Sequence, residues 1–120
     1  MLGLLLAAVL APGSAAPAPI AHAATAVGVG AREWRLSAYR RAVRPGRVSF
    51  NVHNYGEDAH NLQVSGPGGY RSKVTPDIAA GENGRLVVTL RRRGTYALLC
   101  VKPGHLAAGM RTTIRVTGAL

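Results

Sequence analysis

The chain has 120 residues, with fifteen Lys and Arg against five Asp and Glu and a formal net charge of +10. That length holds one domain with a single core, and a charge so large bears on solubility and association rather than on fold. Aromatic residues are few (Trp34, Phe50 and four tyrosines), which counts against the ring-lined platform that single-stranded nucleic acid requires, so no nucleic-acid partner is expected.

The opening stretch, MLGLLLAAVLAPGSAAPAPIAHAATA, carries no Lys, Arg, Asp or Glu. Leu2 to Ala11 form an apolar run interrupted by Gly3 and stopped by Pro12, well short of the about 20 residues that a permanent bilayer span needs. Ala21-His22-Ala23 gives the small-x-small pattern that a signal peptidase accepts. Residues 1–23 are therefore predicted to be a cleavable signal peptide and residues 24–120 the mature domain. That domain would keep no stable membrane span and would be exported to a periplasmic, cell-envelope or extracellular location. No basic residue precedes the apolar run: either the amino terminus supplies the positive charge or translation starts upstream of Met1.

The remainder is predicted to be β-structure at close spacing. Glu33 to Ala38 alternates, with Trp34, Leu36 and Ala38 on one face. A turn follows at Pro45-Gly46, and RVSFNVHN then alternates with Val48, Phe50 and Val52 inward and Ser49, Asn51 and His53 outward. A polar loop from Asn54 to Asp58 leads into AHNLQVS. Tyr70 to Gly84 is irregular, with one short strand. RLVVTLR and GTYALLC are strands joined by a tight turn at Arg92 to Gly94, and RTTIRVT is the last strand, its inward face set by Thr113 or Ile114. About seven short strands without a helical period predict an all-β Greek-key β-sandwich.

An exported chain with one cysteine is unusual. Oxidising compartments favour paired cysteines, and a lone thiol there points to intermolecular pairing, a reactive thiol or a metal ligand. Cys100 is followed by His105 and Met110 in CVKPGHLAAGM. Thiolate, imidazole and thioether are soft to borderline donors that suit copper better than calcium or magnesium, and two histidines with a cysteine and a weak axial methionine make a blue-copper site. The second histidine must come from elsewhere. His60, at the head of AHNLQVS, is the candidate, because the start of one strand lies at the same end of a sandwich as the finish of its antiparallel neighbour.

These residues carry a family resemblance. GTYALLC resembles the plastocyanin pattern Gly-Thr-Tyr-x-aromatic-x-Cys, with Leu98 where an aromatic often stands. Cys100 to His105, with Pro103-Gly104 before the histidine, is azurin-like in spacing, and His105 to Met110 is plastocyanin-like. His60-Asn61 matches the upstream His-Asn pair, and PGRVSFNVHNYGEDAHNLQV resembles the earlier strand pair. Everything after the leader thus resembles the cupredoxin (blue copper protein) family. The resemblance implies one type 1 copper ion held by His60, Cys100, His105 and axial Met110, with no catalytic residues. It also implies that the Asn61 backbone N–H donates to the Cys100 sulfur. In azurin-like members the Asn side chain is tied to a hydroxyl residue after the cysteine, a position held here by Val101.

The function implied is single-electron transport between redox partner proteins by a small monomer, with the +10 charge steering it to acidic partners. A copper delivery or buffering protein of the cell envelope is the alternative, and a metal-free cupredoxin-fold interaction domain a third reading. An oxidase or other enzyme is not expected, since the chain lacks His-x-His and His-Cys-His pieces and a second cysteine. His53 is read as a solvated histidine outside the site, His22 as part of the leader, and Arg91-Arg92-Arg93 as a solvated turn with docking as a secondary role.

Overall fold

The computed structural model describes Gly3 and residues 23–118, so the body of the expected signal peptide and His22 lie outside the described residues. Among the described residues nine strands form two sheets: β1 Thr25–Arg32, β2 Arg35–Ala38, β3 Ala42–Val43, β4 Gly46–Asn54, β5 Gln63–Gly66, β6 Tyr70–Arg71, β7 Asn83–Leu90, β8 Gly94–Leu99 and β9 Arg111–Val116. One sheet has the order β2-β1-β4-β7 and the other β3-β9-β8-β5-β6. The architecture is the expected all-β sandwich. No helix among the described residues is long and apolar enough to cross a membrane.

Alternation places the core between the sheets. Val48, Phe50 and Val52 of β4 are buried, and the antiparallel neighbour β7 adds Leu86, Val88 and Leu90. From the facing sheet come Val64, Tyr96, Leu98, Ile114 and Val116, so Ile114 rather than Thr113 sets the inward face of β9. Each large apolar side chain so enclosed contributes about 1.5–3 kcal/mol relative to exposure. Tyr96 also spends its hydroxyl, which donates to the Arg92 carbonyl at 2.7 Å and fixes the turn entering β8.

β1 was not expected from the sequence. It pairs in parallel with β4 and buries Val27, Val29 and Ala31. Its other face carries Gly28 and Gly30, because the Tyr39 ring lies across them: a Cβ at Gly28 would come within 2.9 Å of that ring, and one at Gly30 within 2.6 Å of the hydroxyl. The buried parity then changes from odd (Val27, Val29, Ala31) to even (Leu36) across a turn at Glu33 and Trp34. Trp34 therefore leaves the predicted inward face. It is 45% exposed and sits at the end of the sandwich where the chemistry is.

Candidate metal centre

Three connections meet at one end of the sandwich: the β1–β2 turn, the β4–β5 loop that leads to His60, and the β8–β9 loop running from Cys100 to Met110. Cys100 follows β8 directly, and its loop is cinched at the base, since the Cys100 N–H donates to the Met110 carbonyl and the Met110 N–H to the His105 carbonyl, both at 3.1 Å. His105 N–H donates to the Lys102 carbonyl at 3.0 Å. Gly104 and Gly109 take positive φ values of 80° and 103° within this turn-rich segment, a backbone that side-chain-bearing residues rarely adopt. Cys100 and Met110 are fully buried, and His105 nearly so.

His60 is held in the β4–β5 loop, which crosses from one sheet to the other. It forms a backbone bridge with Ile78, its N–H donating to the Ile78 carbonyl at 3.1 Å and its carbonyl accepting the Ile78 N–H at 2.7 Å. Buried Asn54 organises the segment before it. Its amide group donates to the carbonyls of Asp58 and Ile78, and its Oδ1 accepts the Gly56 N–H.

These supports bring three donor atoms face to face. His60 Nδ1 lies 3.2 Å from His105 Nδ1, and Cys100 Sγ lies 3.9 Å from the first and 3.5 Å from the second. A point equidistant from all three is about 2.1 Å from each, which falls in the range of transition-metal bonds to imidazole and thiolate. A buried, closely spaced set of one sulfur and two imidazole nitrogens is the donor chemistry that suits copper. The residues present fit that ion. The structure brings together His60, Cys100 and His105 as a potential metal-binding cluster, and Met110 is tied through the backbone to both Cys100 and His105.

Glu33, which sequence reasoning did not single out, completes the surroundings. Its Oε1 accepts the Glu57 N–H at 2.9 Å and the Asp58 N–H at 2.6 Å, and lies 3.2 Å from His60 Nε2. The Asp58 N–H foremost, with further backbone donors, holds this carboxyl below its ordinary range, so it is ionised and accepts from the imidazole. Burial pushes His60 below the usual histidine range, and the Glu33 charge pulls the other way. A neutral imidazole whose Nε2–H is given to a carboxylate must present Nδ1 as a bare lone pair, which is the form a metal binds. Gly56 makes the room: a Cβ there would run into the Glu33 carboxylate.

Two further contacts border the centre. The Trp34 ring meets the His105 ring edge-on, with centroids 4.8 Å apart. Asn61 is joined to the cysteine loop through its side chain, the Val101 N–H donating to Oδ1 at 2.8 Å. That bond needs no hydroxyl at position 101, which is how Val can stand there. His53 is elsewhere, with Nδ1 2.7 Å from Asn83 Oδ1 and its ring against Tyr55. The Arg91–Arg93 turn enters β8 at the end opposite Cys100, about 20 Å away at the rise of a strand.

Comparison with known proteins follows the same lines. Against solved structures the chain superposes on a reduced auracyanin from the photosynthetic bacterium Roseiflexus castenholzii, with a TM-score of 0.67 and 19% identity over 80% of this chain and 99% of that one. It superposes equally on auracyanin B, with a TM-score of 0.67 and 22% identity over 79% and 90% of the two chains. Auracyanin A from Chloroflexus aurantiacus, described as a blue copper protein, gives a TM-score of 0.66 and 18% identity over 79% and 100%. At those identities the likeness speaks for the fold. A blue copper protein of Pisum sativum is 30% identical over 66 residues, which are 54% of this chain and 35% of that protein's length. Residues 42–117 match the family model of copper binding proteins, plastocyanin/azurin family. The match spans β3 to the end of β9, including His60, Cys100, His105 and Met110, and the chain belongs to the plastocyanin/azurin family of copper-binding proteins.

Proposed function

We propose that this protein is a one-copper electron carrier, with His60, Cys100 and His105 as its equatorial ligands and Met110 as the axial donor. The observation that carries the reading is the buried triangle of Nδ1, Sγ and Nδ1 atoms, with edges of 3.2, 3.5 and 3.9 Å. Copper bound there would supply a one-electron couple, with an intense thiolate-to-metal charge transfer in its oxidised form. The chain's own residues supply rigidity. Each donor is fixed by backbone hydrogen bonds at the end of a packed sandwich, so the donor set is held in one arrangement whichever oxidation state is bound. Small rearrangement between states favours fast electron exchange over bond-making chemistry.

Several features favour a carrier over an enzyme or a delivery protein. His60, Cys100 and His105 form the one cluster of potential ligands of this kind among the described residues, so a second metal for multi-electron chemistry has no evident place there. Full burial of Cys100, His60 and Met110 opposes ready handover of the ion to an acceptor. Glu33 fixes the tautomer of His60, and Trp34 packs on His105. Redox encounters of this class use small interfaces, below about 1,200 Å², and release quickly. The net charge of +10 would steer the carrier toward acidic partners. We further propose that it acts outside the cytoplasm, on the strength of the apolar leader, and as a monomer, since its one cysteine is buried and out of reach of a second chain.

The test is to record reduction potential and copper retention together. A carrier cycles reversibly and keeps copper in both states. A delivery protein loses copper to an added apoprotein acceptor on reduction, and that result would overturn the reading.

A further inference from the structure

Three arginines without carboxylate partners gather around one cleft on the flank of the metal centre. Arg35 on β2, Arg41 in the β2–β3 connection and Arg111 at the start of β9 line a cleft of about 370 Å³ together with Trp34 and Gly109. It forms where β2, the edge strand of its sheet, packs against β9 of the other. All three arginines are exposed. Among the described residues the carboxylates that meet a basic side chain are Glu33, at the neutral His60 imidazole, and Asp77, at Lys102, so none of the three guanidinium groups meets a carboxylate. Glu33, Glu57 and Asp58 are gathered on the His60 side, where Glu33 is bonded to the backbone of the other two.

Like charges placed close together without counter-charge raise the local potential, and an entering anion relieves their repulsion. A guanidinium also matches a carboxylate in a planar, two-point fashion that a lysine cannot reproduce. Trp34 joins this cleft to the metal centre, since it lines the cleft and packs edge-on against His105. A half-exposed tryptophan bordered by arginines has the composition of the residues that dominate protein interfaces.

We propose that this cleft is the docking surface for an acidic segment of a redox partner protein, and that Trp34 is the contact that couples the partner to His105. The exchange moves one electron between the metal centre and a one-electron redox group of the partner, with no bond broken and no proton transferred. The role of Trp34 rests on the electron-carrier reading, whereas the anion recognition stands on the three arginines. The Arg91–Arg93 turn, at the opposite pole, adds long-range steering only.

The experiment uses the full copper-loaded chain in its reduced state, labelled for NMR and titrated with a ten-residue polyglutamate peptide. Amide shifts are expected at residues 34–41 and 109–112, weakening as salt is raised. Replacing Arg35, Arg41 and Arg111 by Gln together should weaken the peptide by about tenfold or more, while the equal charge change of Arg91→Gln, Arg92→Gln and Arg93→Gln should alter it less than about twofold. Equal losses from the two triple variants, or shifts centred on the far turn, would overturn the docking assignment. A ten-nucleotide oligothymidine that bound the same residues more tightly than the peptide would reassign the cleft to nucleic acid and overturn it as well. Trp34→Leu should slow electron exchange with hexacyanoferrate(III) by about tenfold while the visible spectrum and potential are retained, and Trp34→Phe should restore most of the rate. An unchanged rate in Trp34→Leu would overturn the coupling role. A wild-type protein that takes up copper without reversible cycling would instead defeat the electron-carrier reading itself, separately from the peptide result.

Discussion

Oε1 of Glu33 lies 3.2 Å from Nε2 of His60, and the same oxygen accepts two backbone N–H groups from the loop that delivers that histidine. One carboxylate thus fixes the ring's orientation, its tautomer and the path of residues 55–59. Because it is ionised, it also places a negative charge behind a proposed copper ligand, which favours the more highly charged oxidised ion.

Glu33→Gln keeps much of the shape and removes the charge. The reduction potential is expected to rise and copper(II) affinity to fall by about 10- to 100-fold, the usual cost of losing an outer partner of a metal-bound histidine. Potentiometry and competition with a chelator check both. An unmoved potential would mean that Glu33 only shapes the loop.

Gly56 offers an independent route to the same contact. A methyl group there runs into the Glu33 carboxylate, so Gly56→Ala should displace Glu33 and shift the potential in the direction of Glu33→Gln. The double variant should shift it no further than Glu33→Gln alone, since both changes remove one interaction. Additive shifts would place the effect of Gly56 elsewhere.

Met110 is expected to tune rather than to colour. It is fully buried and linked by backbone hydrogen bonds to Cys100 and His105. A thioether is a neutral, weak axial donor, so Met110→Leu should raise the potential and Met110→Gln, with a harder amide oxygen, should lower it. The charge-transfer band should persist in both. Loss of colour in Met110→Leu would mean that the thioether is needed to hold the ion.

Much of this was legible in the chain because two periodicities survive in it. Val48, Phe50 and Val52 announce a strand by strict alternation, and the Cys100–His105–Met110 spacing announces a ligand loop whatever the sheets do. His60 could be placed because a strand's start and its antiparallel neighbour's finish share one end of a sandwich. β1 was hidden by Gly28 and Gly30, which make room for Tyr39 and so erase the β-branched signal on that face. Glu33 and Trp34 read as strand from the sequence because their alternation with Leu36 continues smoothly through the turn. The parity change between Ala31 and Leu36 was the available clue. The arginine cleft depends on β2 meeting β9 across the two sheets, a long-range contact that no local pattern encodes.

Packing carries its own test. Leu98 is fully buried and stands two residues before Cys100 on β8. Leu98→Ala should destabilise the fold by about 2–5 kcal/mol, through lost burial and the cavity left behind, as read by urea unfolding of the metal-free protein. A cost below about 1 kcal/mol would mean that the strand leading to the cysteine is loosely packed.

The claim on which the rest depends is that Cys100, His60 and His105 hold one copper ion through a thiolate and two imidazoles. A visible absorption spectrum of the protein loaded with one equivalent of copper(II), alongside Cys100→Ser, tests it most directly. The wild type is expected to show an intense blue or green band that bleaches on reduction, returns on reoxidation and is absent from Cys100→Ser. A wild-type protein that binds stoichiometric copper(II) and stays colourless would contradict it.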